Sequence, residues 1–311
     1  MVDTVLVTGG MGCIGAWVLY HLVEHNVKAV SFDQSQDHTR LNLLLTPEEQ
    51  TGITFVTGDL TQTGAVADLV AQQGITHIIH LAALQVPFCR ANPILGAQVN
   101  VVGTVNIFEA ARHNTIKHVT YASSIAVYGS AEDYDEAVLS DQSATHPRTL
   151  YGVYKVANEN TARIYWQDYQ ISSLGLRPYT VYGIGRDQGM TSAPTLAMQA
   201  AAQGQDYHIP FGGVMLMQYA SDVARQFIAA TQITGQGAQC LTLGTPAVSI
   251  AEVAQIIMEL RPGVTITHDE VALPLPKDFA ARDLYTVFPT VYETPLREGI
   301  AETIRMFASP R

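Results

Sequence analysis

A chain of 311 residues, 47% hydrophobic and only 14% charged, is long enough for a full core and too apolar to stay disordered. Asp and Glu outnumber Lys and Arg by 28 to 17, a net charge of −11. With no basic run to offset it, that balance argues against nucleic acid or an anionic membrane surface as a partner. The opening Met1-Val2-Asp3-Thr4 has no basic segment, and the apolar stretch after it is broken by Gly9, Gly10, Gly12 and Gly15. Neither a signal peptide nor a membrane span is therefore expected, and a cytosolic location is. Cys13, Cys89 and Cys240 are odd in number and lack metal-ligand spacing. They read as buried thiols of a reducing compartment, and no metal is expected.

In chain order, Thr4 to Val7 reads as a buried strand, Ile14 to His25 as a helix and Lys28 to Phe32 as the second strand. Strands at Ile53 to Val56, His77 to Leu81, His118 to Tyr121 and Ser172 to Leu176 follow, separated by helical patterns at Thr63 to Gln73, Ile94 to Arg112 and Tyr151 to Tyr169. Such alternation specifies an α/β chain with a parallel sheet covered on both faces. After Arg177-Pro178 the alternation stops. Helices remain at Thr195 to Gln203 and Asp222 to Thr231, and from Ser249-Ile250-Ala251-Glu252 to Pro262-Gly263. Residues 1–177 are expected to form the sheet domain, with 234–248 rejoining it, and 178–311 a small substrate-binding lobe.

Thr8-Gly9-Gly10-Met11-Gly12-Cys13-Ile14-Gly15 lies where the first strand hands over to the first helix. Glycines there permit a tight turn and close approach to a pyrophosphate, which the helix N-terminus attracts. Asp33 closes the second strand, placed to bind adenosine ribose hydroxyls and repel a 2′-phosphate, so NAD is preferred over NADP. Arg40 is the counter-indication, a loop cation able to reach such a phosphate. Asp59 suits the adenine amino group, or caps the following helix. Tyr151 and Lys155, four apart on one helix face, pair a phenol of ordinary pKa near ~10 with an ammonium that favours its ionised form. That arrangement can make a base.

In this order the motifs resemble an extended short-chain dehydrogenase/reductase of the NAD-dependent epimerase/dehydratase kind. They are the glycine loop, Gly58-Asp59-Leu60, His80-Leu81-Ala82-Ala83, Asn100-Val101-Val102-Gly103-Thr104, Ser123-Ser124-Ile125-Ala126-Val127-Tyr128-Gly129, Tyr151-x-x-x-Lys155 and Leu176-Arg177-Pro178. The likeness is good to about residue 185 and looser beyond. It implies a Rossmann-type doubly wound sheet and a catalytic set of Ser124, Tyr151 and Lys155, with Ser124 bonding the substrate oxygen. NAD would lie on Gly9, Gly12, Cys13, Ile14, Gly15, Asp33, Asp59, Leu60, Leu81, Ala82, Ala83 and Asn100, with Tyr151 and Lys155. It further implies a homodimer formed through helices near 94–112 and 151–169.

Three departures narrow the reaction. Ile125 and Ala126 replace the Asp-Glu pair of a 4,6-dehydratase, so elimination is disfavoured. Thr180 stands where nucleotide-sugar epimerases carry a diphosphate-binding asparagine, and Met215 where they carry an arginine. The favoured reading is hydride transfer between NAD and a small hydroxy or carbonyl compound without a nucleotide: a sugar, sugar acid or polyol. Its pocket candidates are Gln85, Ser124, Tyr179, Thr180, Arg186, Gln188 and Thr191. Arg186 suits a substrate carboxylate, although Asp187 is an equal claimant as its partner. A sugar or nucleotide-sugar epimerase and a silent NAD-binding regulator are the alternatives.

Overall fold

The computed structural model describes residues 3–235 and 237–309. Strands and helices are numbered in chain order. Thr4-Val5-Leu6-Val7-Thr8 is an unbroken β-branched and aliphatic run, and β1 (Thr4–Thr8) is accordingly buried along its whole length. Around it lie β2 (Lys28–Asp33), β3 (Ile53–Thr57), β4 (His77–His80), β5 (His118–Ala122) and β6 (Ser172–Arg177). Later come β7 (Thr180–Tyr182), β8 (Tyr207–Ile209), β9 (Val214–Tyr219), β10 (Ala238–Thr242), β11 (Ala247–Ser249) and β12 (Ile266–His268). Seven strands form one parallel sheet in the order β10-β6-β5-β4-β1-β2-β3. The progression reverses between β1 and β4, which opens a crevice at their carboxyl ends, where ligands of such sheets bind.

The helices are α1 (Cys13–Glu24), α2 (Thr39–Asn42), α3 (Ala65–Gln73), α4 (Val86–Ala91), α5 (Pro93–Ala97), α6 (Gly103–His113) and α7 (Leu150–Tyr169), then α8 (Ala193–Ala202), α9 (Ala220–Ala230), α10 (Ile250–Leu260), α11 (Arg282–Val287) and α12 (Leu296–Ala308). Alternation along β1 sends Val5 and Val7 into one apolar cluster and Leu6 into the other. Leu6, with Leu69, Phe108 and Ala162 of α3, α6 and α7, fills one face. The opposite cluster runs from Leu19 of α1 through Phe227 of α9 to Ile257 and Ile304 of α10 and α12, so the later helices share a core with the sheet. Two small sheets, β11-β9-β7 and β12-β8, complete the later part.

The helix expected over Ile94 to Arg112 is interrupted. Between α5 and α6, residues Gln98–Val102 form a π-helical turn centred on buried Asn100. The widened turn is held by that side chain, whose Oδ1 accepts from Leu84 N at 2.8 Å and whose Nδ2 donates to Leu84 O at 3.0 Å. α2, α4, α11 and α12 have no counterpart among the helices expected from the sequence.

Candidate active site

The glycine loop closes the crevice floor. Gly9 takes φ 75°, and a Cβ there would lie 2.7 Å from Ala82 N; one on Gly15 would lie 2.1 Å from Gly9 O. Larger residues would push the loop off β4 and α1. Gly12 is the N-cap of α1 and supplies no side-chain cap, and the first turn has no acidic residue. Gly12, Cys13, Ile14 and Gly15 face a cavity of about 480 Å³. An uncapped helix start with bare N–H groups fits a pyrophosphate. At one end, Asp33 is held by Met11 N on Oδ2 at 3.0 Å and Ser35 N on Oδ1 at 2.9 Å. Asp59, Leu60, Leu81, Ala82 and Ala83 line the same cavity. Asp59 also accepts from Thr61 N at 2.8 Å, a local turn contact. Asn100 lies outside the lining: its amide is taken up by the Leu84 backbone, so it orders the wall rather than touching a ligand.

Ser124, Tyr151 and Lys155 meet at the other end. Ser124 caps the short turn Ile125–Val127, its Oγ accepting from Ala126 N at 3.1 Å. Thr149 caps α7 by accepting from Gly152 N at 3.0 Å. A Cβ on Gly152 would lie 2.1 Å from Ala126 O, so the bare Cα lets α7 press against the serine turn. Lys155 is buried, donates from Nζ to Ala122 O at 2.7 Å, and sits 5.5 Å from the centroid of the Tyr151 ring. Burial depresses the Lys155 ammonium to about 8. Burial also raises the Tyr151 phenol above its ordinary value, opposed first by its hydrogen bond with Ser124 and then by the Arg186 charge. Lys155 was expected to acidify the tyrosine. In the folded chain the lysine is desolvated and donates to a backbone carbonyl, and the phenol beside it stays above its ordinary value.

Gln85, Tyr179, Arg186, Gln188 and Thr191 line the substrate side. Thr180 does not: it is fully buried and its hydroxyl donates to Met215 Sδ at 3.3 Å, in the core. The Tyr179 hydroxyl is committed to Pro276 O. Arg186 Nη2 donates to Thr191 Oγ1 at 3.2 Å, while its Nε is buried without a partner. Asp187 pairs with Arg40 instead, Nη2 to Oδ1 at 2.8 Å.

Glu159 and Arg177 were not singled out from the sequence as site residues. Both are largely buried, and Arg177 donates from Nε and Nη2 to the two Glu159 oxygens, each at 2.7 Å. Ser123, next to Ser124, donates to Glu159 Oε1 at 2.5 Å. The available signal was the continued spacing Tyr151, Lys155, Glu159 on one helix face.

Residues 5–239 match the NAD dependent epimerase/dehydratase family. The chain belongs to that family. Its relatives include an uncharacterized 37.6 kDa protein in the cld 5′ region of Escherichia coli O111:H-, 31% identical over 334 aligned positions and 97% of each chain. UDP-glucuronate 4-epimerase 4 of Arabidopsis thaliana is 33% identical over 187 residues, 58% of this chain but 42% of that protein. Among solved structures, MoeE5 in complex with UDP-glucose and NAD superposes with a TM-score of 0.80 at 28% identity, over 98% of each chain. This family member is an NAD-dependent enzyme of the extended short-chain dehydrogenase/reductase type, with the Rossmann-type sheet of that group.

Proposed function

We propose that the enzyme exchanges a hydride between NAD and a small hydroxy or carbonyl compound without a nucleotide, a sugar acid in first place. The loss of the diphosphate-binding pair carries this reading. Thr180 and Met215 stand at those two positions and are buried against each other outside the cavity lining, so neither a side-chain amide nor a guanidinium is offered to a diphosphate there. NAD, when bound, supplies the hydride acceptor or donor. Tyr151 takes the proton from the substrate hydroxyl in oxidation and returns it in reduction. Ser124 bonds the substrate oxygen as charge develops there. Lys155 holds the nicotinamide ribose, and Arg186, with Gln85 and Thr191, receives the carboxylate that its unpartnered Nε lacks.

The test is incubation with NAD and a panel of sugars, uronates, polyols and hydroxy acids, following the reduced cofactor. Net reduction with a uronate or hydroxy acid, lost in Tyr151→Phe, is expected. Full activity in Tyr151→Phe would sink the mechanism. The likeness to UDP-glucuronate 4-epimerase 4, 33% identical over 58% of this chain, favours a second reading as an epimerase, in which isomers form without net reduction.

We further propose a cytoplasmic homodimer in carbohydrate metabolism. Ile94, Val102 and Val153, exposed to 74%, 43% and 45%, give α5, the π turn and α7 an apolar face suited to a second copy. The run Pro93–His113 is apolar and long enough to cross a membrane, but 44% of its most apolar stretch is buried inside this fold, and α6 packs on α3 and α7. All three cysteines are free, as suits a reducing compartment.

A further inference from the structure

Arg40 and Asp187 reach the cofactor groove from different parts of the chain. Arg40 belongs to α2, in the connection leaving β2, and Asp187 to the loop between β7 and α8; both line the cavity. Arg40 Nε lies 3.1 Å from each Asp187 oxygen and Nη2 2.8 Å from Oδ1, while Nη1 donates to Met11 O at 3.0 Å. All three nitrogens of the guanidinium are therefore engaged. The N–H of the same Met11 donates to Asp33 Oδ2 at 3.0 Å. One residue's backbone thus separates the guanidinium from the carboxylate read as the ribose ligand, and Gln34 and Ser35 complete that end of the lining.

An arginine this close to an adenosine ribose would ordinarily favour a 2′-phosphate, since its planar fork matches phosphate as well as carboxylate. We propose that Asp187 determines cofactor selectivity by holding Arg40 in a bidentate pair, so that the cation nearest the ribose is withheld from NADP. Asp33 then excludes the phosphate by repulsion and Asp187 by sequestering its counter-ion. The two carboxylates act on one position, so their removal must be non-additive. The pair is partly exposed, 24% and 48%, and contributes little to the fold, which leaves the variants able to fold.

The inference rests on NAD lying with its ribose at Asp33, and fluorescence titration with NADH and NADPH tests both points separately. Asp33→Asn alone reports the ribose contact through its loss of NADH affinity. In that background, adding Asp187→Asn is expected to raise the NADPH-to-NADH affinity ratio by at least about tenfold, because Arg40 is released. Adding Arg40→Met as well is expected to abolish the further gain. A ratio unmoved by Asp187→Asn, or a gain that survives Arg40→Met, would overturn the proposal whatever Asp33→Asn shows.

Discussion

At Tyr151 burial and hydrogen bonding pull in opposite directions. Desolvation holds the phenol above its ordinary value, and the bond with Ser124 and the Arg186 charge pull it back. Activity in the oxidative direction should therefore rise with pH through the alkaline range. Arg186→Met removes a cation that favours the phenolate, so the rising limb of the pH-rate profile is expected to move to higher pH. An unmoved limb would remove Arg186 from the tyrosine's environment. Loss of the proton acceptor in Tyr151→Phe should lower kcat by roughly a thousandfold, with NAD affinity little changed. The pair itself was legible as a four-residue spacing. Arg186 was legible only as a candidate anion ligand, because its reach to Tyr151 depends on how a loop 35 positions later returns to the crevice.

One helix, α7, carries Tyr151 and Lys155 and locks both against the serine turn. Its tolerance is smallest at Gly152, where a Cβ would lie 2.1 Å from Ala126 O. Gly152→Ala should displace the turn bearing Ser124, so that kcat falls far more than the melting temperature; a variant of unchanged kcat would show that the turn yields freely. Further along the same face, Glu159 binds Arg177 and Ser123 in the interior. Arg177→Met strands a buried carboxylate, and chemical denaturation should record a loss of about 3–5 kcal/mol. The principal strands, α1 and α7 could be read from β-branched runs, glycine punctuation and helical spacing. The π turn could not, since it exists for the contact between Asn100 and the Leu84 backbone, 16 positions away. For the same reason β8 and β12, joined across the small sheet from Tyr207 to Ile266, left no local pattern.

Across the molecule, three buried histidines link folding to pH. Burial lowers His21 and His118 to about 4 and His80 to about 3, all from 6.5. Below pH 6.5 the unfolded chain binds protons that the folded chain refuses, so stability falls as pH drops toward 4. At pH 5 the loss should approach about 2 kcal/mol for each histidine, and calorimetry at pH 7 and pH 5 would record it. A melting temperature equal at both would mean that these rings accept protons within the fold. The parallel sheet and its glycine loop were readable because β1 to β5 are each followed by a helix before the next strand. In the later part α8, α9 and α10 were readable as helices, but their placement was not, because α8 to α12 are set by a core shared with α1 rather than by any repeat of their own. That shared packing brings Leu275 and Arg186 to the same crevice. The direct test is turnover of the NAD-supplemented enzyme with a matched pair, free D-glucuronate and UDP-glucuronate, following both the reduced cofactor and sugar isomers. Reduced cofactor accumulating with the free acid, and no conversion of the UDP-linked one, is the expected result; isomerisation of UDP-glucuronate without net reduction would contradict it.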